Sequence, residues 1–376
     1  MKVLPPRKAP RSSAQRRNLG LLLLAGAILF ALAGQYYFAE RRNFLNDGVT
    51  LYAIGMILFA AAARLLDAPA DEAQQRQSWW HTLAAHPLRT GLTIAGLLSA
   101  LVAARITVAE PQPSDFTSAV IAWLLAAALV IGAQLPPPAA WRQRLASVSP
   151  WARAHAFELA ALAFWLILAA FLRTWQLEQI PYPLSGDEAA MGLEARRVLA
   201  NDLHNPFATG WLSHPTMWFF WMADLMKLFG TGMIGLRILS ALVGTSTVLT
   251  LYLLAREVFG IIPAQLAVAL LVTTPVHLHF SRQGLNNITD AWLSPLAFFF
   301  LYRGLRRNDT LSMALAGVTL GLLQYGYLGG RVVPVIMAAY FVYLILVEGD
   351  FLQKHFGHLV VMAVAALAVA MPILLW

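Results

Sequence analysis

The sequence predicts an all-α polytopic membrane protein, and three observations carry that expectation. Of the 376 residues, 59% are hydrophobic and only 12% are charged, whereas soluble globular domains are about a quarter charged. Apolar runs approaching the roughly 20 residues that cross the hydrocarbon core recur about eleven times along the chain. The formal net charge is +8, but the basic residues gather in short clusters between apolar runs, which is how membrane orientation is set and not how nucleic acid is bound. The chain has no cysteine, which excludes a disulfide, a thiol nucleophile and a thiolate metal site. Chemistry must therefore come from carboxylates, His, Arg, Lys or Tyr.

Taken in order, residues 1–18 form a basic N-terminus with Lys2, Arg7, Lys8, Arg11, Arg16 and Arg17 and no acid, and the run 19–38 behind it reads as a retained signal anchor. Further apolar runs lie at 49–66, 90–109, 116–135 and 155–175, then at 235–255, 261–280, 291–305, 311–328, 332–347 and 358–376. With the N-terminus cytoplasmic, strict alternation puts Arg142, Arg144, Arg153, Arg256, Arg303, Arg306, Arg307 and Lys354 on the same face, as the positive-inside rule requires. Residues 19–135 are expected to form an accessory four-helix bundle, with Trp79-Trp80 as an interfacial anchor. A Pro- and Arg-rich cytoplasmic linker at 136–154, opening on Pro136-Pro137-Pro138, leads to a main module at 155–376.

Three segments fall on the outer face: 176–234, 281–290 and the turn at 325–331. The first is about sixty residues long, far beyond an ordinary connection. In Ser185-Gly186-Asp187-Glu188, Ser185 and Glu188 have capping-box spacing, and a helix to about Asn201 should carry an apolar stripe of Met191, Ala195, Val198 and Leu199 and lie along the membrane surface. Acids in a first turn suit the helix dipole, and Glu188 could serve only as a cap. Asp187, beside a glycine that lets a substrate approach, is the better general-base candidate. The apolar stretch Met217 to Phe229 is short for a span and reads as re-entrant or interfacial; His214 before it either caps that helix or contacts substrate.

Arg282 and Arg331 have no acid adjacent in sequence, and Arg282 is a candidate phosphate ligand because its planar fork suits phosphate oxygens. Tyr325 and Tyr327 lie in a Gly-rich turn and are either interfacial belt residues or substrate contacts. Asp290 closes the second outer segment. No cofactor is required by these residues, and a divalent metal is left open, although His277 and His279, at i and i+2, point to different sides of a helix.

The chain resembles polytopic glycosyltransferases of the GT-C fold, similar to dolichyl-phosphate-mannose protein mannosyltransferases and bacterial lipid A aminoarabinose transferases. The resemblance rests on Gly186-Asp187-Glu188, Leu236-Arg237-Ile238-Leu239-Ser240-Ala241-Leu242, Leu251-Tyr252-Leu253-Leu254-Ala255-Arg256-Glu257-Val258-Phe259-Gly260 and His279-Phe280-Ser281-Arg282-Gln283-Gly284. It implies a catalytic carboxylate at Asp187 with Glu188 beside it, and Arg282 near a donor phosphate; Arg331, His214, Tyr325, Tyr327 and Asp290 are candidate substrate contacts on the reading of the residues themselves. The implied reaction moves a sugar, with inversion, from a polyprenyl phosphate to a lipid, glycan or protein acceptor. The implied site is the outer face of a membrane, expected to be the bacterial inner (plasma) membrane. Family members usually continue with further spans, so the chain is expected to be C-terminally incomplete. The competing functions are a transporter or flippase for an anionic lipid-linked substrate and a noncatalytic membrane assembly protein.

Overall fold

The computed structural model describes residues 13–40, 45–66 and 87–376; the residues before Ser13 and the Trp79-Trp80 pair lie outside the described residues. Among the described residues the chain is helical throughout, its one β feature being an isolated bridge between Thr209 and Pro215. It divides into two compact units, one of 1–77 with 336–356 and the other of 78–335 with 357–376.

In the first unit, α1 (Ser13–Glu40) and α2 (Leu45–Leu66) lie side by side. Their approach depends on Gly34, where an added Cβ would sit 2.6 Å from the Tyr52 ring and 3.1 Å from the Gly48 carbonyl. Small residues at such a crossing let two backbones come together where lipid supplies no hydrophobic drive.

The second unit contains α3 (Pro87–Thr107), α4 (Thr117–Ala133), α5 (Pro138–Ala154), α6 (Ala156–Thr174), α7 (Gly186–Leu199), α8 (Met217–Phe229), α9 (Met233–Phe259), α10 (Ile261–Thr273), α11 (Pro275–Phe280), α12 (Ile288–Arg307) and α13 (Thr310–Leu323). Two further helices, α14 (Val333–Val347) and α15 (Phe351–Leu375), cross the boundary between the units. Whereas α1 and α2 pair in the first unit, α3 and α4 pack against α13 and the end of α15 through Ala100, Ala126, Val130, Ala314, Ala365 and Ala368.

All the apolar runs are helical. The run 261–280 is broken at Thr274, because Pro275 lacks an N–H to continue α10 and instead opens α11. Among the described residues six helices are long and apolar enough to cross a membrane: the 17–37 part of α1, α3, α6, α9, the 328–347 segment ending in α14, and α15. A seventh span results if α4 and α5, bent by 87° at their junction, are taken together. The 13-residue α10 and 14-residue α13 are shorter.

Helix α9 is the centre of the second unit, packed against α6, α8, α10 and α12. At its C-terminal end, Glu158 of α6 accepts hydrogen bonds from Tyr252 and Arg256, and Glu257 is ringed by Arg303, Arg306 and Arg307. At its N-terminal end a large apolar core of Met191, Trp218, Phe219, Met222, Met226, Leu236, Leu239 and Leu285 joins α7 and α8 to α9. The predicted stripe of α7 thus turns to protein: Met191 and Ala195 are buried, and Val198 and Leu199 pack against the same core. The apolar face of α7 is therefore occupied by α8 and α9.

Candidate functional site

The site is built on the N-terminus of α7. Ser185 caps the helix, its Oγ accepting a hydrogen bond from the Glu188 N–H at 3.2 Å, which satisfies one of the free donors of the first turn. The Glu188 side chain turns inward. Its two oxygens accept from Arg237 Nε at 2.7 Å and Nη2 at 3.0 Å, and Oε1 also accepts from the Gly284 N–H at 2.9 Å. Both side chains of this pair are completely buried, and Arg237 donates its remaining Nη1 to the Leu177 carbonyl at 2.9 Å. One ion pair thus fastens α7, α9 and the segments 176–234 and 281–290 together. Gly284 is required here because a Cβ would lie 2.8 Å from the Leu236 carbonyl. Glu188, expected next to Asp187 in the reaction, therefore has its carboxylate fully engaged in holding the site together, while Asp187 one residue earlier is exposed.

His214 reaches the same place from a tight loop. Gly210 N–H donates to the His214 carbonyl at 2.8 Å and Thr216 N–H to the Ala208 carbonyl at 2.9 Å. At the tip, Leu212 and Ser213 both take left-handed conformations, with φ of 48° and 63°, which L-residues adopt only at a cost. The loop's base is held by Thr216 Oγ1, which donates to the Asn205 carbonyl at 2.7 Å, and Asn205 in turn donates to the Thr107 carbonyl at the end of α3. The helix α8 begins after Thr216 with no side-chain cap, so His214 does not cap it. Instead its ring is stacked between Trp211, with centroids 5.5 Å apart and planes at 10°, and Tyr327, 5.7 Å away at 29°.

Asn286 fixes the imidazole. Its Nδ2 donates to the Gly326 carbonyl at 3.2 Å and faces His214 Nδ1 at 3.1 Å, so Nδ1 is the acceptor and the proton resides on Nε2. Burial holds the His214 pKa below its ordinary value, while the charge of nearby Asp187 pulls it back up. A neutral imidazole with an Nε2 donor beside an exposed carboxylate is the chemical content of this corner.

The turn at 325–331 docks through Asp290, in the first turn of α12 and outside the 291–305 apolar run. Its Oδ1 accepts the Tyr327 N–H at 3.2 Å, and Thr289 Oγ1 accepts the same N–H at 3.1 Å. Burial pushes the Asp290 carboxyl up to about 6, against the hydrogen bonds from the Tyr327 and Gly330 backbones and Thr289. Asp290, expected as a substrate contact, thus orients the turn that presents Tyr327.

The remaining expectations divide. Tyr325 is buried, donates to the Val369 carbonyl at 2.8 Å and packs against Trp123 and Phe207, so it belongs to the core. Arg282 is nearly buried and donates to the carbonyls of Leu172, Trp175 and Ile180. The last turn of α6 has free carbonyls, and Arg282 satisfies them where a phosphate was expected. Arg331 is exposed and has no hydrogen bond or ion pair among the described residues. Among the described residues no three His, Asp or Glu side chains cluster as metal ligands would. Sequence reasoning missed Arg237, Trp211 and Asn286 as parts of the site. Arg237 had left a signal, since an arginine within an apolar helix needs an acid.

Residues 213–376 match the family model described as dolichyl-phosphate-mannose-protein mannosyltransferase. This bears out the resemblance and supports a glycosyltransferase of the GT-C type; the matched segment includes His214, Tyr327 and Arg331 and starts after Asp187. No curated protein and no solved structure matches the chain.

Proposed function

We propose that this chain is an inverting glycosyltransferase that moves a sugar from a polyprenyl-phosphate donor to an acceptor hydroxyl of a lipid, glycan or protein at the outer membrane–water interface. The observation that carries the reading is the contrast between two neighbouring acids: Glu188 is buried against Arg237, while Asp187 is exposed beside His214 on the same rigid helix start. Asp187 is the general base. It takes the acceptor hydroxyl proton as that oxygen attacks the anomeric carbon, the carbon–oxygen bond to phosphate breaks, and polyprenyl phosphate leaves as a stabilised anion.

In this reading Arg331 is the cation for the leaving phosphate, because its guanidinium is exposed and uncommitted. Tyr327 and the Nε2 donor of His214 bind the sugar. Glu188, Arg282 and Asp290 position these groups without touching substrate. The test is transfer from radiolabelled polyprenyl-phosphate sugars by the purified protein in lipid, with the anomeric configuration of the product determined. Inverted product, and donor binding weakened by Arg331→Ala, are expected. Retained configuration would remove the single-displacement mechanism, and unchanged donor binding would remove Arg331 from the phosphate.

A further inference from the structure

Helix α5 stands apart from the catalytic corner. The Pro136-Pro137-Pro138 run ends α4, Pro138 opens α5 at a position where no N–H is needed, and the chain turns by 87°. With α4, the helix of the 116–135 apolar run, taken as the crossing segment, a helix at right angles to it lies in the plane of the membrane surface. At about 100° per residue, Trp141, Leu145, Val148 and Ala152 fall on one side of it, with Arg142 and Arg153 along a flank. Leu145 is 66% exposed, Val148 55% and Trp141 38%. The C-terminal end is clipped to the body, with the Arg256 guanidinium 5.8 Å from the Trp151 ring centre and Trp151 stacked on His155 at 4.7 Å. Tethered at both ends, α5 presents its apolar side outward.

The charge on this segment has one sign. Between Gln134 and Glu158 the sequence holds Arg142, Arg144 and Arg153 and no acid, and it lies on the face where the other basic clusters gather. An apolar stripe with tryptophan, flanked by arginines and carried on a helix of low overall hydrophobicity, is the pattern that seats in the headgroup region of a lipid surface.

We infer that α5 is an in-plane membrane anchor that binds the anionic lipid surface of the cytoplasmic leaflet, sinking Leu145 and Val148 between acyl chains while Arg142 and Arg153 engage lipid phosphates. The anchor fixes the level of α6, whose far end is tied by Arg282 to the outer segment that leads into α7.

The absence of native cysteine makes the test direct. Single nitroxide labels are placed on the full chain through Leu145→Cys, Val148→Cys and Gln143→Cys, in vesicles of phosphatidylethanolamine with phosphatidylglycerol or of phosphatidylcholine alone. Collision rates with oxygen and with a water-soluble nickel chelate are then measured. In the anionic vesicles oxygen should dominate at Leu145→Cys and Val148→Cys and nickel at Gln143→Cys. Arg142→Gln and Arg153→Gln should each weaken seating about fivefold, from about 1 kcal/mol per surface arginine, and phosphatidylcholine should weaken it further. Nickel dominating at all three sites would overturn the anchor. Shielding of Leu145→Cys and Val148→Cys from both reagents would replace lipid by a protein partner, and seating unchanged in phosphatidylcholine would overturn the anionic selection.

Discussion

At the scale of single residues, the site is decided by what burial does to neighbouring charges. The Glu188–Arg237 pair is fully buried, and removing one member of such a pair leaves the other uncompensated, at a cost of about 3–5 kcal/mol. Glu188→Gln is therefore expected to lower thermal stability sharply, and pairing it with Arg237→Met should recover part of the loss; additive losses in the double variant would refute the coupling. Asp290 has the opposite character. Its pKa is raised from 3.8 to about 6, so the folded protein holds a proton that the unfolded chain releases within that window. Its ionisation then costs stability above the window, and this cost fades as pH falls through about 6. Asp290→Asn should flatten the decline in stability between pH 3.8 and about 6, as read from thermal unfolding of both proteins across that range; parallel curves would refute the raised value. Capping by Ser185 was legible in the sequence because it depends on local spacing. The engagement of Glu188 was not, because its partner Arg237 is 49 residues away.

At the scale of elements, the apolar runs were legible because a membrane helix declares itself by length and composition. What the pattern could not show was which surface each helix face meets. The α7 stripe was correctly placed on Met191 and Ala195, but periodicity does not distinguish a lipid from α8. The turn at 325–331 makes the same point. Its two tyrosines are two residues apart and point to different fates: Tyr325 into the core with Trp123 and Phe207, Tyr327 onto His214. Tyr325→Phe should cost about 1 kcal/mol or less of stability, since Trp123 Nε1 still donates to the Val369 carbonyl, and should leave transfer intact. Tyr327→Ala should fold and lose donor affinity. Steady-state transfer kinetics of the two variants check this, and equal losses would contradict the assignment.

At the scale of the whole molecule, the all-α polytopic architecture follows from composition, while the grouping of its helices depends on contacts that composition does not contain. Helices α3 and α4 support the segments that build the site: Asn205 bonds to the end of α3, and Trp123 of α4 packs against Tyr325 of the 325–331 turn. The long segment 176–234 is consequently anchored from several sides, as the proposed role of Asp187 as a base requires. The most direct test of the account is transfer of labelled sugar from polyprenyl-phosphate donors by wild-type protein and by Asp187→Asn, both in lipid and both verified as folded. Turnover by the wild type and a fall of about a hundredfold to ten-thousandfold in the variant, with donor binding retained, is the expected result. Undiminished transfer by Asp187→Asn would contradict it.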